Sequence, residues 1–281
     1  MRRVIVTGGS GHAGWPVVRH LQAHGYDVRV VDRVPPPGAA PYQLVDLTEA
    51  GQAYGALAGA DAVIHLAAIP RPQYHTPDVI YRTNLLSMVN VLEAMHTLGI
   101  PRLVYGSSVS VLGFPFFERP LAPRYAPVDE HHPRLPQDAY GLSKHLGEEL
   151  IDGFVRRGGL DAVSLRMPWI HNAESFHRDI VPLQADPASP AAAANLWSYI
   201  DAGDVAEACR LALEATVEGH EPLFIAAPDT FMTVPTRDLL AMHYPNTELR
   251  APLEGRAGLL SGAKAQQVLG FAPRTTWEMY G

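Results

Sequence analysis

Tyr140 and Lys144 stand four residues apart at the head of a segment with helical spacing. That separation puts both on one face of a helix, adjacent in space. An ammonium beside a phenol stabilises the phenolate, so the spacing predicts a Tyr140 pKa drawn down from its ordinary value of about 10. A tyrosine tuned in this way can act as a general base toward a hydroxyl. Ser108 is then a neutral donor able to orient a substrate hydroxyl or carbonyl. A Tyr-x-x-x-Lys pair also occurs on solvated helices where it does nothing, so the reading rests on what precedes it.

What precedes it is a nucleotide-binding pattern. Arg3-Val4-Ile5-Val6-Thr7 is apolar and β-branched, and it breaks into Gly8-Gly9-Ser10-Gly11-His12-Ala13-Gly14 before an amphipathic segment opens at Trp15 and Pro16. This reads as strand, tight turn and helix. Gly8 takes the turn, Gly11 lets the backbone approach a pyrophosphate, and Gly14 lets helix and strand pack closely. The helix N-terminus offers N–H groups and a positive dipole to the phosphates, with His12 and Ala13 in the turn itself. The next apolar run ends at Asp32, eighteen residues beyond Gly14, where a carboxylate accepts from the adenosine ribose hydroxyls. Asp32 repels a 2′-phosphate, which favours NAD over NADP, and the adjacent Arg33 softens that preference.

The elements needed to position these groups alternate strand and helix. Residues 42–45 read as a third strand ending at Asp46-Leu47, where the carboxylate either caps the next helix or hydrogen-bonds an adenine amine. Residues 47–57 read as that helix, and 62–68 as a buried strand running through Leu66 into the small Ala67 and Ala68, which leave space for a cofactor. A helix over 77–98 carries an apolar stripe, with Asn84 off its centre, where a short amide can hold a water or a backbone carbonyl. The strand at 100–105 leads to Ser107 and Ser108 at its carboxyl end, the edge where open parallel sheets bind ligands. The proline-rich stretch 113–136 is too long for a passive loop and reads as a substrate lid or wall. Asp138 then caps the Tyr140 helix. The whole predicts an α/β fold, a Rossmann-type doubly wound parallel sheet over residues 1–165 with a small C-terminal substrate lobe over 166–281 interleaved with it. The elements beyond Asp204 are too short for a core of their own and are expected to lie over the carboxyl edge of the sheet.

Composition narrows the partners. The chain has 281 residues, 47% hydrophobic and 18% charged, with a net charge of -7 and no run of Lys or Arg suited to nucleic acid or an anionic membrane. A small-molecule substrate is the partner this favours. The first strand starts too soon after Met1 for a signal peptide, no apolar run has the length of a bilayer span, and the single Cys209 excludes an internal disulfide. A cytoplasmic protein is the expectation. His20 and His24, four apart on the first helix, are close enough to share an ion but lack a third ligand, and His171 and His177 flank a probable loop with Glu174 and Asp179; the catalytic reading needs no metal.

In order and over residues 1–215, these motifs resemble those of the extended short-chain dehydrogenases/reductases of the NAD-dependent epimerase/dehydratase superfamily. Residues 7–14 resemble its cofactor fingerprint, 65–68 its strand-four motif, Asn84 its helix-four asparagine, 107–113 its serine motif and 140–144 its catalytic pair. Leu165-Arg166-Met167-Pro168 and residues 199–206 resemble two later landmarks. The resemblance implies that Lys144 holds the nicotinamide ribose and the phenolate, that Tyr140 takes the substrate proton while hydride passes to NAD, and that Ser108 steadies the developing carbonyl. It places Pro168 and Trp169 near the nicotinamide. It adds Leu47, Leu66, Ala67, Ala68, Asn84 and Ser107 to the cofactor contacts, and Ser110 to the substrate contacts. Compact uronate dehydrogenases share the layout, and the resemblance makes Arg166 either a ligand for a substrate carboxylate or part of the scaffold. Arg71, in the loop after strand four, is a second candidate for that role. The resemblance also implies a homodimer, paired through the helices at 78–98 and 138–157.

Departures from the superfamily narrow the function further. Ser108-Val109-Ser110 stands where sugar-nucleotide dehydratases carry Thr-Asp-Glu, so the acid for water elimination is missing. Residues 185–194 are mostly Ala and Pro with no Arg or Lys, whereas a diphosphate calls for cationic partners. The favoured reading is an NAD-dependent dehydrogenase of a small sugar, sugar acid or polyol. A nucleotide-sugar epimerase and a non-catalytic NAD-sensing protein are the alternatives.

Overall fold

A computed structural model describes residues 2–281. In chain order it runs through β1 (Arg3–Thr7), α1 (Gly14–Ala23), β2 (Asp27–Asp32), β3 (Tyr42–Leu44), α2 (Ala50–Leu57), β4 (Ala62–His65), α3 (Pro77–Leu98) and β5 (Arg102–Ser108). There follow β6 (Tyr125–Ala126), α4 (Ala139–Arg157), β7 (Asp161–Met167), β8 (Trp169–His171), α5 (Ala173–Asp179), α6 (Val181–Gln184), α7 (Pro190–Ala194), β9 (Tyr199–Asp201) and α8 (Ala202–Glu214). The chain ends in β10 (His220–Phe224), α9 (Thr236–His243), β11 (Glu248–Leu249), α10 (Ala263–Leu269) and a 3-10 turn at Trp277–Tyr280. Among the described residues, no helix is long and apolar enough to cross a membrane.

Seven strands form one parallel sheet in the order β3-β2-β1-β4-β5-β7-β10. The chain builds outward from β1 to β3, then returns to β4 and builds the other way. Beyond the carboxyl ends of β1 and β4 the connections diverge, and that divergence opens a crevice. Its floor is set by a close approach: Gly8 has φ +69°, and a Cβ there would lie 2.6 Å from the Ala67 amide nitrogen. A Cβ at Gly14 would run into the Gly8 carbonyl oxygen. The spacing of these glycines is therefore a steric requirement.

Apolar side chains cover both faces of the sheet. Val17, Leu21, Val205 and Cys209 from α1 and α8 fill one face, and Leu57, Met88, Leu92 and Ile151 from α2, α3 and α4 fill the other. Cys209 is filler here, and burial pushes its thiol up to about 12. Beyond the carboxyl edge lies a third cluster, around Phe114, Val128, Phe176, Trp197, Tyr199, Phe231 and Leu239. The C-terminal elements do not make this core alone, in keeping with their shortness. Their shortness is offset by Phe114, Tyr125, Ala126 and Val128, apolar residues from the proline-rich stretch. That stretch is a packed wall.

Three of the predicted elements shift. β4 ends at His65, because Leu66 to Ala68 leave the sheet to lie along the crevice. β5 starts later and runs on through Ser107 and Ser108. α2 begins at Ala50, after Asp46 has spent Oδ1 on the Thr48 amide and hydroxyl in the preceding turn. α4 begins as predicted, with Asp138 Oδ1 accepting from the Tyr140 and Gly141 amides at 2.8 and 2.9 Å.

On α4, Tyr140, Lys144 and Glu148 recur at four-residue intervals, all buried. Glu148 accepts from Ser107 Oγ at 2.7 Å on β5, and from Arg166 Nε at 2.9 Å and Nη2 at 2.7 Å on β7. Burial pushes the Glu148 carboxyl up, but the bonds from Arg166 and Ser107 outweigh it and hold the group ionised. Replacing Arg166 by Met strands that carboxylate, with an expected cost of about 3–5 kcal/mol; adding Glu148→Leu should restore most of it. Urea unfolding of the two variants measures the difference. A double variant no more stable than Arg166→Met would show that the charge pair is not the source of the loss.

Candidate active site

A cleft of about 680 Å³ runs from the glycine turn, along the ends of β1, β4 and β5, to the segment after β7. At one end it is lined by Gly8, Gly11, His12, Ala13 and Gly14, with Asp32, Arg33, Asp46 and Leu47 beyond them. Leu66, Ala67, Ala68 and Ser107 line its middle. Asp32 accepts from the Ser10 amide on one oxygen at 3.0 Å and from the Arg33 amide on the other at 2.7 Å. Each oxygen keeps a lone pair for a ribose hydroxyl. Gly11 carries no Cβ, so a pyrophosphate can approach the backbone at the head of α1. These residues fit a dinucleotide with an unphosphorylated adenosine ribose.

Ser108, Ser110, Tyr140, Lys144 and Pro168 meet in the same cleft. Ser108 Oγ donates to Ser110 Oγ at 3.0 Å and accepts from the Ser110 amide at 3.1 Å, which fixes its direction at the end of β5. Lys144 Nζ donates to the Gly106 carbonyl at 2.6 Å and lies 4.9 Å from the Tyr105 ring centroid. Phe116 packs edge-on against Tyr140, at 6.1 Å between centroids.

The spacing predicts a lowered Tyr140 pKa, and the structure reverses the sign. Burial pushes the phenol up to about 12, with Ser108 opposing and Asp138 adding to the rise. Lys144 Nζ lies 5.8 Å from the centre of the tyrosine ring, and burial takes its own pKa down to about 7 against the pull of Glu148. Desolvation outweighs the pair's attraction because both groups are enclosed. The same enclosure holds His65, bonded to Thr7 Oγ1 at 2.7 Å, down at about 3, with the Lys144 charge as the second cause.

Two predicted contacts are corrected. Asn84 does not line the cleft: Oδ1 accepts from the Ile69 amide at 2.8 Å, and Nδ2 donates to the Ile69 carbonyl at 3.1 Å and Ser143 Oγ at 3.0 Å. Its amide is fully engaged in pinning the loop after β4 to α3 and α4. Arg166 is not a ligand for substrate either. Its guanidinium, 2% exposed, belongs to Glu148, with Nη1 on the Glu130 carbonyl at 3.4 Å.

Arg71 lies where it was predicted, on the cleft. Its charge reaches Tyr140, His171 and Asp179, and it makes no ion pair among the described residues. Trp169, His171, Arg178, Asp179 and Asn195 also line this half. The resemblance places Trp169 near the nicotinamide, and the sequence names none of the five as a substrate contact. They come from short elements with no motif, and only folding brings them beside Tyr140.

His171 turns its Nδ1 to Ser175 Oγ, while His177 bonds the Ala173 carbonyl, so the two do not converge. His20 pairs with Glu207 at 2.9 Å. Among the described residues, no three His, Cys, Asp or Glu are grouped to hold a metal. A Ser-His-Asp arrangement exists outside the cleft: His220 bonds Ser164 Oγ and Asp152 Oδ1, both at 2.7 Å. Ser164 is fully buried in the sheet, so its hydroxyl serves to tie β7, β10 and α4 together.

A parallel sheet with its nucleotide cleft at the switch point and a Ser-Tyr-Lys set beside it defines a class of dinucleotide-dependent oxidoreductases. The model of the NAD dependent epimerase/dehydratase family matches residues 4–226, and the chain belongs to that family. The uronate dehydrogenase of Pseudomonas putida is 29% identical over 59% of this chain and 60% of its own length, so the match spans three-fifths of that relative. The L-arabinose 1-dehydrogenase (NAD(P)(+)) of Haloferax volcanii is 31% identical over 77% of this chain and 84% of its own. The UDP-glucose 4-epimerase of Corynebacterium glutamicum is 25% identical over 98% and 92% respectively.

The two shifted groups give a direct test. A phenol with a raised pKa stays protonated, and a lysine with a lowered one loses its proton as pH rises through about 7. Ultraviolet difference titration of the free protein against Tyr140→Phe should find no phenolate from Tyr140 below pH 10, its unperturbed value. Ionisation near pH 7 would show that attraction to Lys144 outweighs burial.

Proposed function

We propose that the protein is an NAD-dependent oxidoreductase that moves hydride between a hydroxyl-bearing carbon of a small sugar, sugar acid or polyol and the nicotinamide. The observation that carries the reading is the meeting of Ser108, Tyr140 and Lys144 in the cleft that begins at the glycine turn. NAD, when bound, supplies the hydride acceptor. The residues assigned to its adenosine are Asp32, Arg33, Asp46 and Leu47; the pyrophosphate falls to the glycine turn with His12 and Ala13, and the nicotinamide end to Leu66, Ala67, Ala68, Ser107, Lys144 and Pro168. In oxidation, Tyr140 first gives up its own proton to solvent; the phenolate oxygen then takes the substrate hydroxyl proton, and Ser108 Oγ, turning its hydroxyl from Ser110, donates to the oxygen as it becomes a carbonyl. In carbonyl reduction the phenol gives that proton back. Lys144, tied to the Gly106 carbonyl, keeps its charge beside the developing phenolate when protonated.

The cations of the cleft favour a small substrate over a nucleotide sugar. Arg33 lies at the adenosine end, and Arg178 is held by its neighbour Asp179 through Nε at 2.8 Å and Nη2 at 2.9 Å. On the substrate side this leaves Arg71 unpaired, enough for one carboxylate but meagre for a diphosphate. Similarity to the epimerase over nearly the whole chain keeps the second reading in view, that of an epimerase which retains and reuses its NAD. For assembly we favour a homodimer through the adjoining α3 and α4, which expose Leu86 and Leu146.

Purified protein with NAD should form NADH with a member of a panel of free aldoses, hexuronic acids and polyols, and more slowly or not at all with NADP. Tyr140→Phe should abolish turnover and leave NAD affinity near normal. For a sugar acid, Arg71→Gln should raise KM about 10- to 100-fold, with neutral sugars unaffected, as loss of a charge-assisted hydrogen bond requires. A silent panel, with tightly copurifying NAD and a thermal shift on adding a UDP-sugar, would point to the epimerase.

A further inference from the structure

Two polar atoms beside the substrate half of the cleft have no partner. His171 closes β8 and Asn195 follows α7, and both line the cleft that holds Tyr140. The side chains are 5% and 1% exposed, and His171 Nε2 and Asn195 Oδ1 are enclosed with no hydrogen bond. Buried polar atoms are nearly always paired in a folded protein, so each such exception calls for an account.

Neither side chain is free to turn away. The His171 ring is held by Nδ1 against Ser175 Oγ at 3.3 Å and by edge contacts with Trp169 and Phe176. Asn195 Nδ2 donates to the Ser198 carbonyl at 2.5 Å, while the Ser198 hydroxyl donates to the Asn195 carbonyl at 2.6 Å. Leu196 and Trp197 follow at φ 53° and 51°, a left-handed backbone that L side chains rarely adopt. Trp197 is fully buried, so the strain is imposed by packing, and its effect is to fix the amide that precedes it.

The chemistry of the two atoms specifies a ligand. Asn195 Oδ1 only accepts, so it requires an O–H or N–H and is unfavourable next to a carboxylate or phosphate oxygen. His171 is kept neutral, with burial holding it down at about 4 against the opposing charge of Asp179, and a neutral Nε2 can exchange a hydrogen bond with a hydroxyl in either direction. We infer that His171 Nε2 and Asn195 Oδ1 form a hydroxyl-reading pair, which selects polyhydroxylated substrates by bonding hydroxyls other than the one Tyr140 deprotonates. The inference rests on the sugar dehydrogenase reading and deepens it. Arg71 reads charge; this pair reads hydroxyl pattern.

The test uses the most active sugar from the panel, its 2-, 3- and 4-deoxy analogues, and the variants His171→Phe and Asn195→Ala. His171→Phe keeps a ring between Trp169 and Phe176 and removes only the nitrogens. The unsubstituted enzyme should lose about 100-fold in kcat/KM with at least one deoxy analogue, the scale of stranding buried hydrogen-bonding groups. With the parent sugar His171→Phe should lose a similar factor, and with that deoxy analogue it should match the unsubstituted enzyme, the coupling expected of a direct contact. NAD affinity should be unchanged. If either variant weakens NAD binding as much as it weakens sugar turnover, the pair belongs to the cofactor half and the inference falls. It falls equally if both variants lower the melting temperature but reduce turnover of every sugar alike, since the atoms then hold an enclosed water. Failure of the unsubstituted enzyme to oxidise any sugar would overturn the dehydrogenase reading and this inference with it.

Discussion

The buried carboxylate of Glu148 is the point to which the catalytic half of the molecule is tied. It gathers Ser107 of β5 and Arg166 of β7 onto α4, and it does so from the same helix face that carries Tyr140 and Lys144. An ion pair this deep gives little net stability, since desolving two charges cancels most of their attraction. What it supplies is register. An apolar contact at that position would allow α4 to slide or rotate by part of a residue. A two-pronged guanidinium, together with a serine hydroxyl, allows one placement. With Glu148 fixed, Lys144 falls one turn nearer the crevice and Tyr140 a further turn on. Ser107 pins β5 one residue before Ser108, which lines the cleft.

The same burial that makes Glu148 a strong anchor makes Lys144 and Tyr140 reluctant to carry charge. The lysine lies low at about 7 and the phenol high at about 12. Oxidation therefore needs a Tyr140 phenolate before the substrate proton is taken, a state that burial in the cleft disfavours, and taking the proton returns the neutral phenol. Reduction of a carbonyl begins with the proton already on the phenol. Glu148 raises the lysine's affinity for its proton, and so indirectly supports a charge at Tyr140. Structure and catalysis draw on one carboxylate.

Much of this was legible in the chain. Gly8 and Gly14 mark positions where a methyl group would strike backbone, and the interval between them is local enough to read from spacing alone. Asp32, Ser108, Tyr140 and Lys144 likewise sit at strand ends or helix starts. Errors arose wherever a long-range partner decides the outcome. Arg166 stays open between ligand and scaffold in the sequence because its partner lies eighteen residues away on another element. Asn84 looked like a cofactor contact because the loop it holds is fifteen residues off. The Tyr140 pKa was misjudged in sign because spacing reveals a neighbouring charge and conceals burial. The residues that fill the lobe's core are hidden because some come from a stretch that composition marks as loop.

The divided origin of the lobe has a mechanical consequence for the cleft. Phe114 and Val128 reach it from the segment after β5, while Phe176, Trp197 and Phe231 come from beyond β7. Both walls of the substrate half are therefore packed into one apolar cluster, and a change in either is felt by the other. The cofactor half meets the lobe at β8. His12, in the glycine turn, bonds the Ile170 carbonyl at 3.0 Å, with β8 paired to β9. Ile200 on β9 lies in the apolar cluster that α1 and α8 form on the sheet, and Ile170 packs against it. The strand that carries His171 is therefore packed with the sheet as well as with the lobe, so a shift in β8 is felt at the glycine turn.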